Sequence, residues 1–468
     1  MDSLAAELRD AGQAALWEHA EQLAEPQRSM FVVQLREVDW RHIARLYQAA
    51  VAPGTGTDAI REKARRAQPP ERLIRLADVA AEHLQQARAR GEAALRAGVV
   101  AAMVVAGGQG TRLGSQAPKG LLPIGPLSGK SLFQGFAEQV LARGRRYGTR
   151  IPYLIMTSDA THADTVAFWR EHGLFGLADE DVRFFCQGSL PAVDAATGRA
   201  LLAAPGQLAL SPDGHGGLLA ALQRSGLLRE LAARGIETLF YHQVDNPTTI
   251  VCDPVFLGWH LLKGAEVSTK VVAKRSAEEP MGVAVTVDGV TQIIEYSDLP
   301  REVAAQVDSA GRLRIWAGST AIHAFQRDFL EQAAADPRGL PFHIARKVVP
   351  YWTPETGFVE PSAPNAFKFE RFIFDVLPWA RQPLMVEVDR SAEFNPVKNR
   401  TGADTPETAR AAVQAVYRRW LREAGAIIGD DVPIEISPLV ALDADQVRAK
   451  VAPGTAFTHP VDWSRPGE

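Results

Sequence analysis

The sequence predicts an α/β protein with a doubly wound, mostly parallel sheet of Rossmann-like form. Apolar, β-branched runs such as "VVAAMVVAGG" (99–108) are typical of strands that are buried on both faces. Between about residues 99 and 245, such runs alternate with helical patterns, and this alternation predicts a parallel sheet. Residues 1–95 show apolar residues at helical spacing almost throughout. We therefore expect an N-terminal helical region before the sheet and a small α+β domain after it.

The elements around the sheet follow from local patterns. The segment "RLIRLADVAAEHLQQARARGEAALRAG" (72–98) predicts a helix that leads into the first strand. Further strands are predicted at "IPYLIMTS" (151–158), "VRFFCQG" (182–188) and "TLFYHQVDN" (238–246). Helices between them are predicted at "ATHADTVAFWREHG" (160–173) and "HGGLLAALQRSGLLRELAARG" (215–235).

The pattern changes after Pro280. The segment "GVAVTVDGVTQIIEY" (282–296) is strand-rich, and a helix is predicted around residues 325–335. Thr405 and Pro406 are a good N-cap and first residue for a helix in "TPETARAAVQAVYRRWLREAG". The segment "IEISPLVALDADQVRAKV" (434–451) predicts strand and turn.

Chain length favours several domains, because 468 residues exceed the size at which a single core keeps growing. We expect an N-terminal helical region at 1–95, a large α/β domain at 96–385 and a C-terminal domain at 386–468.

Charge and composition exclude some classes of protein. A formal net charge of −4 gives no general attraction to nucleic acid or to an anionic membrane. The N-terminal segment lacks the pattern of a signal peptide, and no apolar run has the length of a membrane span. Two cysteines, Cys186 and Cys252, suit a reducing compartment. We expect a cytoplasmic protein without a nucleic-acid or membrane partner; the oligomeric state is left open.

A glycine-rich loop follows the first strand. A strand that ends in such a loop places backbone N–H groups at the edge of the sheet where α/β proteins hold anionic ligands. Arg112 and Lys119 add positive charge. The loop therefore predicts a site for a nucleotide phosphate, although a structural turn is the alternative for the glycines alone. The glycines are Gly107, Gly108, Gly110 and Gly114.

The spacing excludes two well-known phosphate loops. A dinucleotide fingerprint would need glycine where Leu113 stands, and a Walker loop ending at "GKS" would need glycine at Ile124.

Several blocks of sequence, taken together, resemble one family. The loop "MVVAGGQGTRLGSQAPKG" (103–120) resembles the signature of nucleotidyltransferases that join a nucleoside triphosphate to a sugar 1-phosphate. From about residue 96 to 410, further blocks resemble, in order, those of the eukaryotic-type UDP-N-acetylhexosamine pyrophosphorylases. These blocks are "FFCQGSLPAV" (184–193), "LSPDGHGGLLAAL" (210–222), "HQVDNP" (242–247), "EPMGVAVTVDGVTQIIEYSDL" (279–299), "PNAFKFERFIFDVL" (364–377) and "FNPVKN" (394–399).

The resemblance implies a reaction between UTP and a hexosamine 1-phosphate. The amides of Gly107, Gly108 and Gly110 would then hold the nucleotide. Arg112 would neutralise the departing pyrophosphate, Lys119 would contact the phosphates near the α position, and Lys398 would bridge the two reacting phosphates.

The resemblance also implies positions for the metal and the base. Asp245 follows a predicted strand, and a carboxylate at that edge of the sheet suits Mg²⁺. A turn cap is the alternative for this residue, because Asp-Asn-Pro is a good turn sequence. Gln187 and Gly214 match positions that read the uracil ring.

On the sugar side, Gly282, Glu295 and Phe372 match positions around the hexosamine. The segment "IWAGSTAIH" departs from the Asn-Ala-Gly-Asn sequence that is usual in the family. Trp316 and Ser319 stand in place of the two asparagines, so the contact that Ser319 makes with the sugar is expected to be weaker.

The sequence thus predicts a Mg²⁺-dependent uridylyltransferase whose most favoured product is UDP-N-acetylglucosamine. Two alternatives stay open: a UDP-glucose or broad-specificity UDP-sugar pyrophosphorylase, and a non-catalytic protein that binds sugar nucleotides.

Overall fold

The computed structural model describes residues 2–52 and 57–465, which form two compact units. One unit combines Met1–Lys63, Gln187–Ala221 and Arg338–Asp375, and the other combines Ala64–Cys186, Leu222–Pro337 and Val376–Glu468. We describe each unit by itself and call them the first and the second unit.

The α-helices of the described residues are, in chain order, α1 (Asp2–Asp10), α2 (Ala14–Gln22), α3 (Gln27–Glu37), α4 (Trp40–Val51), α5 (Thr57–Arg65), α6 (Ala81–Arg96), α7 (Leu132–Tyr147), α8 (His162–Glu171), α9 (Leu218–Ser225), α10 (Leu227–Ala233), α11 (Pro254–Leu262), α12 (Arg301–Ala304), α13 (Arg327–Ala335), α14 (Arg390–Glu393), α15 (Pro406–Glu423) and α16 (Ala444–Arg448).

The strands are β1 (Leu73–Arg75), β2 (Val100–Val105), β3 (Tyr153–Thr157), β4 (Val182–Cys186), β5 (Ser189–Pro191), β6 (Val193–Asp194), β7 (Leu202–Ala204), β8 (Gln207–Leu208), β9 (Leu210–Pro212), β10 (Thr238–Gln243), β11 (Val267–Ala273), β12 (Val283–Val287), β13 (Val290–Ile294), β14 (Ala317–Gln326), β15 (His343–Lys347), β16 (Tyr351–Thr353), β17 (Gly357–Val359), β18 (Ala366–Glu370), β19 (Leu384–Glu387), β20 (Ile427–Ile428), β21 (Ile434–Ile436), β22 (Ala456–Phe457) and β23 (Val461–Trp463).

The second unit is built on a large mixed sheet. Its strand order is β1-β19-β11-β14-β10-β2-β3-β4, and β12 and β13 form a hairpin attached to β14. The neighbours along this order pair in parallel, except that β14 runs antiparallel to both β10 and β11. The predicted mixed α/β fold with a largely parallel central sheet is therefore confirmed.

The central strands lie in the interior of the second unit because their residues are apolar on both faces. Val100, Ala102 and Val104 of β2 pack into a core with aromatic side chains of α7, α8 and α11. Ala101 and Met103, which point the other way, are also fully buried. Because both faces of β2 are buried, its sequence is a continuous apolar run and does not alternate between apolar and polar residues.

Parallel pairing brings the ends of β2, β3 and β10 to one edge of the sheet. Gln243 at the end of β10 pairs with Val105 at the end of β2, and Val105 pairs with Met156 of β3. The glycine loop and the Asp245 loop therefore leave the sheet side by side.

The first unit contains smaller sheets. Their strand orders are β15-β18-β6, β17-β16-β7-β8 and β5-β9. Apolar residues of α1 to α4 pack with Ala200, Leu202 and Leu208, which lie on or next to β7 and β8.

Three local predictions were correct only in part. Residues 73–75 form strand β1, followed by a short 3-10 turn, and the helix α6 begins only at Ala81. The long helix predicted over 215–235 is two helices, α9 and α10, because Gly226 takes a left-handed conformation (φ 71°) between them. The C-terminal segment predicted as strand and turn includes α16, whose N-cap Asp443 accepts a hydrogen bond from the Gln446 amide.

No helix in the described part of the chain combines the length and the apolar character that a membrane span requires.

Candidate functional site

The glycine loop is folded back on itself. The Lys119 amide donates to the Gly108 carbonyl (3.1 Å) and the Gly110 amide donates to the Ala117 carbonyl (3.0 Å). The Ser158 hydroxyl, just beyond β3, donates to the Gly107 carbonyl at 2.7 Å. A Cβ on Gly108 would find no atom within 4 Å, so one side of the loop is open. Such an open glycine backbone lets an anionic ligand approach closely.

Lys119 and Asp245 face each other at the edge of the sheet. The Lys119 Nζ lies 3.5 Å from Asp245 Oδ2, and both side chains are mostly buried. This is the one pair of predicted phosphate-site residues that forms an ion pair with each other. A nucleotide phosphate entering here would meet an ammonium group held by a carboxylate.

The segment that carries Lys398 runs beside the Asp245 loop. The Val397 amide donates to the Asp245 carbonyl at 2.7 Å, and the Lys398 amide donates to the Asp404 carbonyl at 2.7 Å. The Lys398 Nζ lies 5.8 Å from the centroid of the Phe394 ring. Two segments about 150 residues apart are thereby joined by backbone contacts.

Several cations around the loop lack an internal counter-charge. Within the described residues, Arg112, Lys398 and Arg400 form no ion pair. Arg112 lies exposed on the short turn Thr111–Leu113. The sequence analysis missed Arg400, whose Nη1 lies 3.6 Å from the position that a Cβ on Gly114 would take. Only a distant segment places this guanidinium at the loop, so no local signal could have identified it.

The predicted sugar residues of the second unit lie close together. Glu295 Oε1 is 2.7 Å from the position of a Cβ on Gly282, so a larger residue there would collide with the carboxylate. The Ser319 amide donates to the Gly282 carbonyl at 2.8 Å. Ser319 Oγ accepts a hydrogen bond from the amide of Ala321, a residue with positive φ (55°).

The bulge at this point redirects the strand. The pairing of β14 with β11 shifts register between Thr269 and Val271. Such bulges re-aim side chains at the rim of a sheet. The orientation of Ser319 therefore depends on an irregularity in β14 that no local sequence pattern predicts.

The remaining predicted residues, Gln187, Gly214 and Phe372, lie in the first unit. Gln187 is buried, and its Nε2 lies 3.5 Å from the Gly214 carbonyl. Gly214 has a positive φ of 81°, and a Cβ there would lie 2.4 Å from the Arg371 carbonyl oxygen, so only glycine fits. The structure brings these residues together within that unit.

Phe372 lies between two imidazole rings. Its ring centroid is 4.3 Å from that of His343 and 5.1 Å from that of His215. Burial, with the nearby His343 as a second cause, lowers the pKa of His215 to about 4, so this ring is neutral near pH 7. The His343 Nε2 donates to Asp375 Oδ2 at 2.8 Å, which fixes the other ring.

An ion pair that the sequence analysis did not identify supports the Gly214 loop. Asp213 is almost fully buried and pairs with the Arg371 guanidinium. The Arg371 amide donates to the Asp213 carbonyl, and the Gly216 amide donates to the Arg371 carbonyl. Charged residues in this role have no distinctive sequence pattern.

The described residues contain no cluster of three or more His, Cys, Asp or Glu side chains that could hold a metal ion unaided. Mg²⁺ commonly binds one or two carboxylates together with substrate phosphates and waters. Asp245, a single carboxylate at the edge of the sheet, fits a site that the nucleotide would complete.

Comparison with known proteins gives concordant matches. The model of one protein family, UTP–glucose-1-phosphate uridylyltransferase, matches residues 41–415. The chain is 41% identical over 355 residues to the UDP-N-acetylglucosamine pyrophosphorylase of Saccharomyces cerevisiae, a match that covers 74% of each chain. It is 37% identical over 433 residues to the UDP-N-acetylhexosamine pyrophosphorylase-like protein 1 of Mus musculus, covering 90% of this chain and 85% of the relative.

A solved structure is also similar. The uridine diphosphate N-acetylglucosamine pyrophosphorylase from Trypanosoma brucei, crystallised with an inhibitor, superposes with a TM-score of 0.80 at 28% identity, covering 96% of this chain and 94% of that one.

Proposed function

Because the chain belongs to the UTP–glucose-1-phosphate uridylyltransferase family, we propose that it joins UTP and N-acetylglucosamine 1-phosphate to give UDP-N-acetylglucosamine and pyrophosphate. The observation that carries this proposal is an open glycine loop in the same unit as three cations that form no ion pair within the described residues: Arg112, Lys398 and Arg400. A site that holds two polyanions together needs such uncompensated positive charge.

The reaction requires an oxygen of the sugar phosphate to attack the α-phosphorus of UTP in line with the leaving group. A new oxygen–phosphorus bond forms as the bond to the β-phosphate oxygen breaks, and pyrophosphate leaves with the electron pair. Lys398 would neutralise charge where the two phosphates meet, and Lys119 would hold the α-phosphate region. Arg112 would stabilise the departing pyrophosphate. Positioning and electrostatics do most of the work in such transfers.

We also propose that Mg²⁺ accompanies the nucleotide, with Asp245 as its protein ligand. The ion would supply positive charge to the phosphate oxygens. Lys119, 3.5 Å from the same carboxylate, would have to shift its contact toward the phosphates when the metal binds.

Replacing Asp245 with asparagine is expected to raise the Mg²⁺ concentration needed for half-maximal rate. An amide oxygen carries no charge and holds a hard cation less strongly than a carboxylate does. The measurement is the initial rate of pyrophosphate release against free Mg²⁺ at saturating UTP. An unchanged metal dependence with full activity would place the ligand elsewhere.

The sugar specificity is proposed from the relatives and from Ser319. The 41% identity to a UDP-N-acetylglucosamine pyrophosphorylase supports N-acetylglucosamine. Ser319 has no amide with which to hold the sugar, and losing one polar contact costs on the order of 1 kcal/mol. We therefore propose that N-acetylglucosamine 1-phosphate is preferred, with Glu295 beside the sugar, and that glucose 1-phosphate is discriminated against less strictly.

The decisive test is pyrophosphate release from UTP with a panel of sugar 1-phosphates: glucose, galactose and both N-acetylhexosamines. N-acetylglucosamine 1-phosphate is expected to give the highest kcat/KM. ATP in place of UTP is expected to give little turnover, because Gln187 and Gly214 would recognise the uracil ring. A tenfold preference for glucose 1-phosphate, about 1.4 kcal/mol at the transition state, would favour the UDP-glucose alternative. No turnover with any sugar would favour a binding protein.

We also propose a cytoplasmic location and a doubly wound arrangement of the central sheet. In this proposal the chain has an N-terminal helical region at 1–95, a catalytic domain at 96–385 and a C-terminal domain at 386–468.

A further inference from the structure

A cluster of three charged side chains is buried in the second unit. Lys270, in the middle of β11, is completely buried. Its Nζ donates to Asp253 Oδ2 at 2.7 Å and also to the Glu393 carboxylate. The same ammonium lies 5.3 Å from the centroid of the Phe256 ring. One cation is therefore shared by two carboxylates from different parts of the second unit.

The balance between burial and the Lys270 charge differs between the two carboxyl groups, and their pKa values shift in opposite directions. Burial raises the pKa of Glu393, and the Lys270 charge offsets this only in part. Burial acts in the same direction on Asp253, but Lys270 and the Val255 amide outweigh it and keep that pKa below its usual value. Lys270 thus forms ion pairs with both carboxylates, and on each its charge acts against the effect of burial.

Glu393 connects this cluster to the Asp245 loop through Asn246. Asn246 is almost fully buried, and its Nδ2 donates to the backbone carbonyl of Glu393 at 2.7 Å. Its Oδ1 accepts from the Asn395 amide at 3.0 Å. Two residues further on, the Val397 amide donates to the Asp245 carbonyl. The residues that flank Asp245 and Lys398 are therefore joined by three hydrogen bonds.

We propose that Lys270, Asp253 and Glu393 form a positioning cluster that sets the separation of Asp245 and Lys398. This inference rests on the function proposed above. The three residues do not contact either substrate. They act by anchoring Glu393 to the central strand β11 and to the N-terminus of α11, whose N-cap is Asp253. The Asn246 side chain transmits that anchorage to both loops.

The energetic cost of the cluster supports a positioning role. Burying ion pairs is expensive, and well-packed apolar residues of similar volume are often equally or more stabilising. Stability alone therefore gives little reason to bury three charges here. An error of about 1 Å in the placement of a reacting group can cost on the order of 100-fold in rate. A rigid anchor that is hydrogen-bonded to the segments carrying Asp245 and Lys398 reduces such errors.

The test compares Glu393→Ala with Glu393→Gln, using UTP and the best sugar 1-phosphate of the panel. Alanine removes the anchor, and kcat is expected to fall about 10- to 100-fold while KM for UTP changes less than about threefold. Glutamine can still accept from the Lys270 ammonium, so it is expected to restore kcat to within about fivefold of wild type. Asn246→Ala, which cuts the link but leaves the charges in place, is expected to lower kcat in the same way as Glu393→Ala.

Asp181→Ala is the matched control. Asp181 is also a buried carboxylate shared by two cations, Arg150 and Arg234, and it lies in the second unit before β4. Its loss is expected to reduce thermal stability without changing kcat at a temperature where the protein is folded. If Asp181→Ala lowers kcat as much as Glu393→Ala does, or if Asn246→Ala leaves kcat unchanged, the positioning role is refuted. Should Glu393→Ala not fold, Asn246→Ala decides by itself.

Hydrogen exchange separates this inference from the proposed function. The Val397 amide is expected to exchange at least tenfold faster in Asn246→Ala than in wild type, and to keep its protection in Asp181→Ala. This result does not depend on turnover. If the wild-type protein joins no sugar phosphate to UTP, the proposed function fails, while unchanged protection of Val397 in Asn246→Ala would overturn the positioning inference alone.

Discussion

Replacing Lys398 with alanine is expected to lower turnover by about two to three orders of magnitude, the scale of losing one preorganised electrostatic contact in a water-poor site. The ammonium has no ion-pair partner in the described part of the chain, so its charge is available to the phosphates. Charge concentrates most strongly where the two phosphates meet. Removing this lysine should therefore reduce kcat more than it raises KM for either substrate.

The measurement is steady-state pyrophosphate release, with folding checked by thermal denaturation. Because the Lys398 side chain is partly exposed and its backbone amide is bonded to the Asp404 carbonyl, alanine should leave stability almost unchanged. Arg410→Ala is a suitable control: Arg410 is a cation on α15 whose guanidinium donates to the Pro123 carbonyl. If Lys398→Ala stays within a fewfold of wild-type turnover, Lys398 does not bridge the reacting phosphates.

The largest effect on stability is expected from Gly258→Ala. Gly258 on α11 lies against α6, and a Cβ there would stand 1.7 Å from the Ala87 carbonyl oxygen. Gly91 makes the reciprocal close approach, since its Cβ would stand 1.9 Å from the Pro254 carbonyl oxygen. The obstructing atoms belong to backbone, which cannot rotate away. The two helices must separate, and we expect the free energy of unfolding to fall by about 3 kcal/mol, the upper part of the range for overpacking.

Gly135→Ala provides the comparison. Gly135 lies within α7, and a Cβ there would meet no atom within 4 Å. Alanine is the better helix former by about 1 kcal/mol, so this variant should be as stable as wild type or slightly more stable. Chemical denaturation of both variants gives the difference. A loss below about 1 kcal/mol for Gly258→Ala would mean that α6 and α11 are packed less tightly than the structure indicates.

Some features of the fold and the site could be predicted from the sequence, and others required the tertiary structure. The strand β2, the glycine loop after it and the helix α15 with its Thr405 cap were all predictable, because each depends on residues that are adjacent in the chain. Asp245 was predictable as a residue just beyond the end of a strand for the same reason: the apolar strand β10 ends at Gln243, two residues before it. Patterns of this kind record local conformational preference and burial.

The tertiary structure decided what no local pattern records. Leu73–Arg75 became a strand because β19, about 310 residues later, offers it a parallel partner. Arg400 reaches the glycine loop, and Lys270 reaches Glu393, only because the sheet brings distant segments together. Within the helical segments, Gly91 and Gly258 look like weak helix positions until the backbone of the facing helix is in place. The sequence by itself determined which chemical groups follow the strands at the edge of the sheet, while their spacing depended on long-range strand pairing, whose energy arises only when remote residues meet.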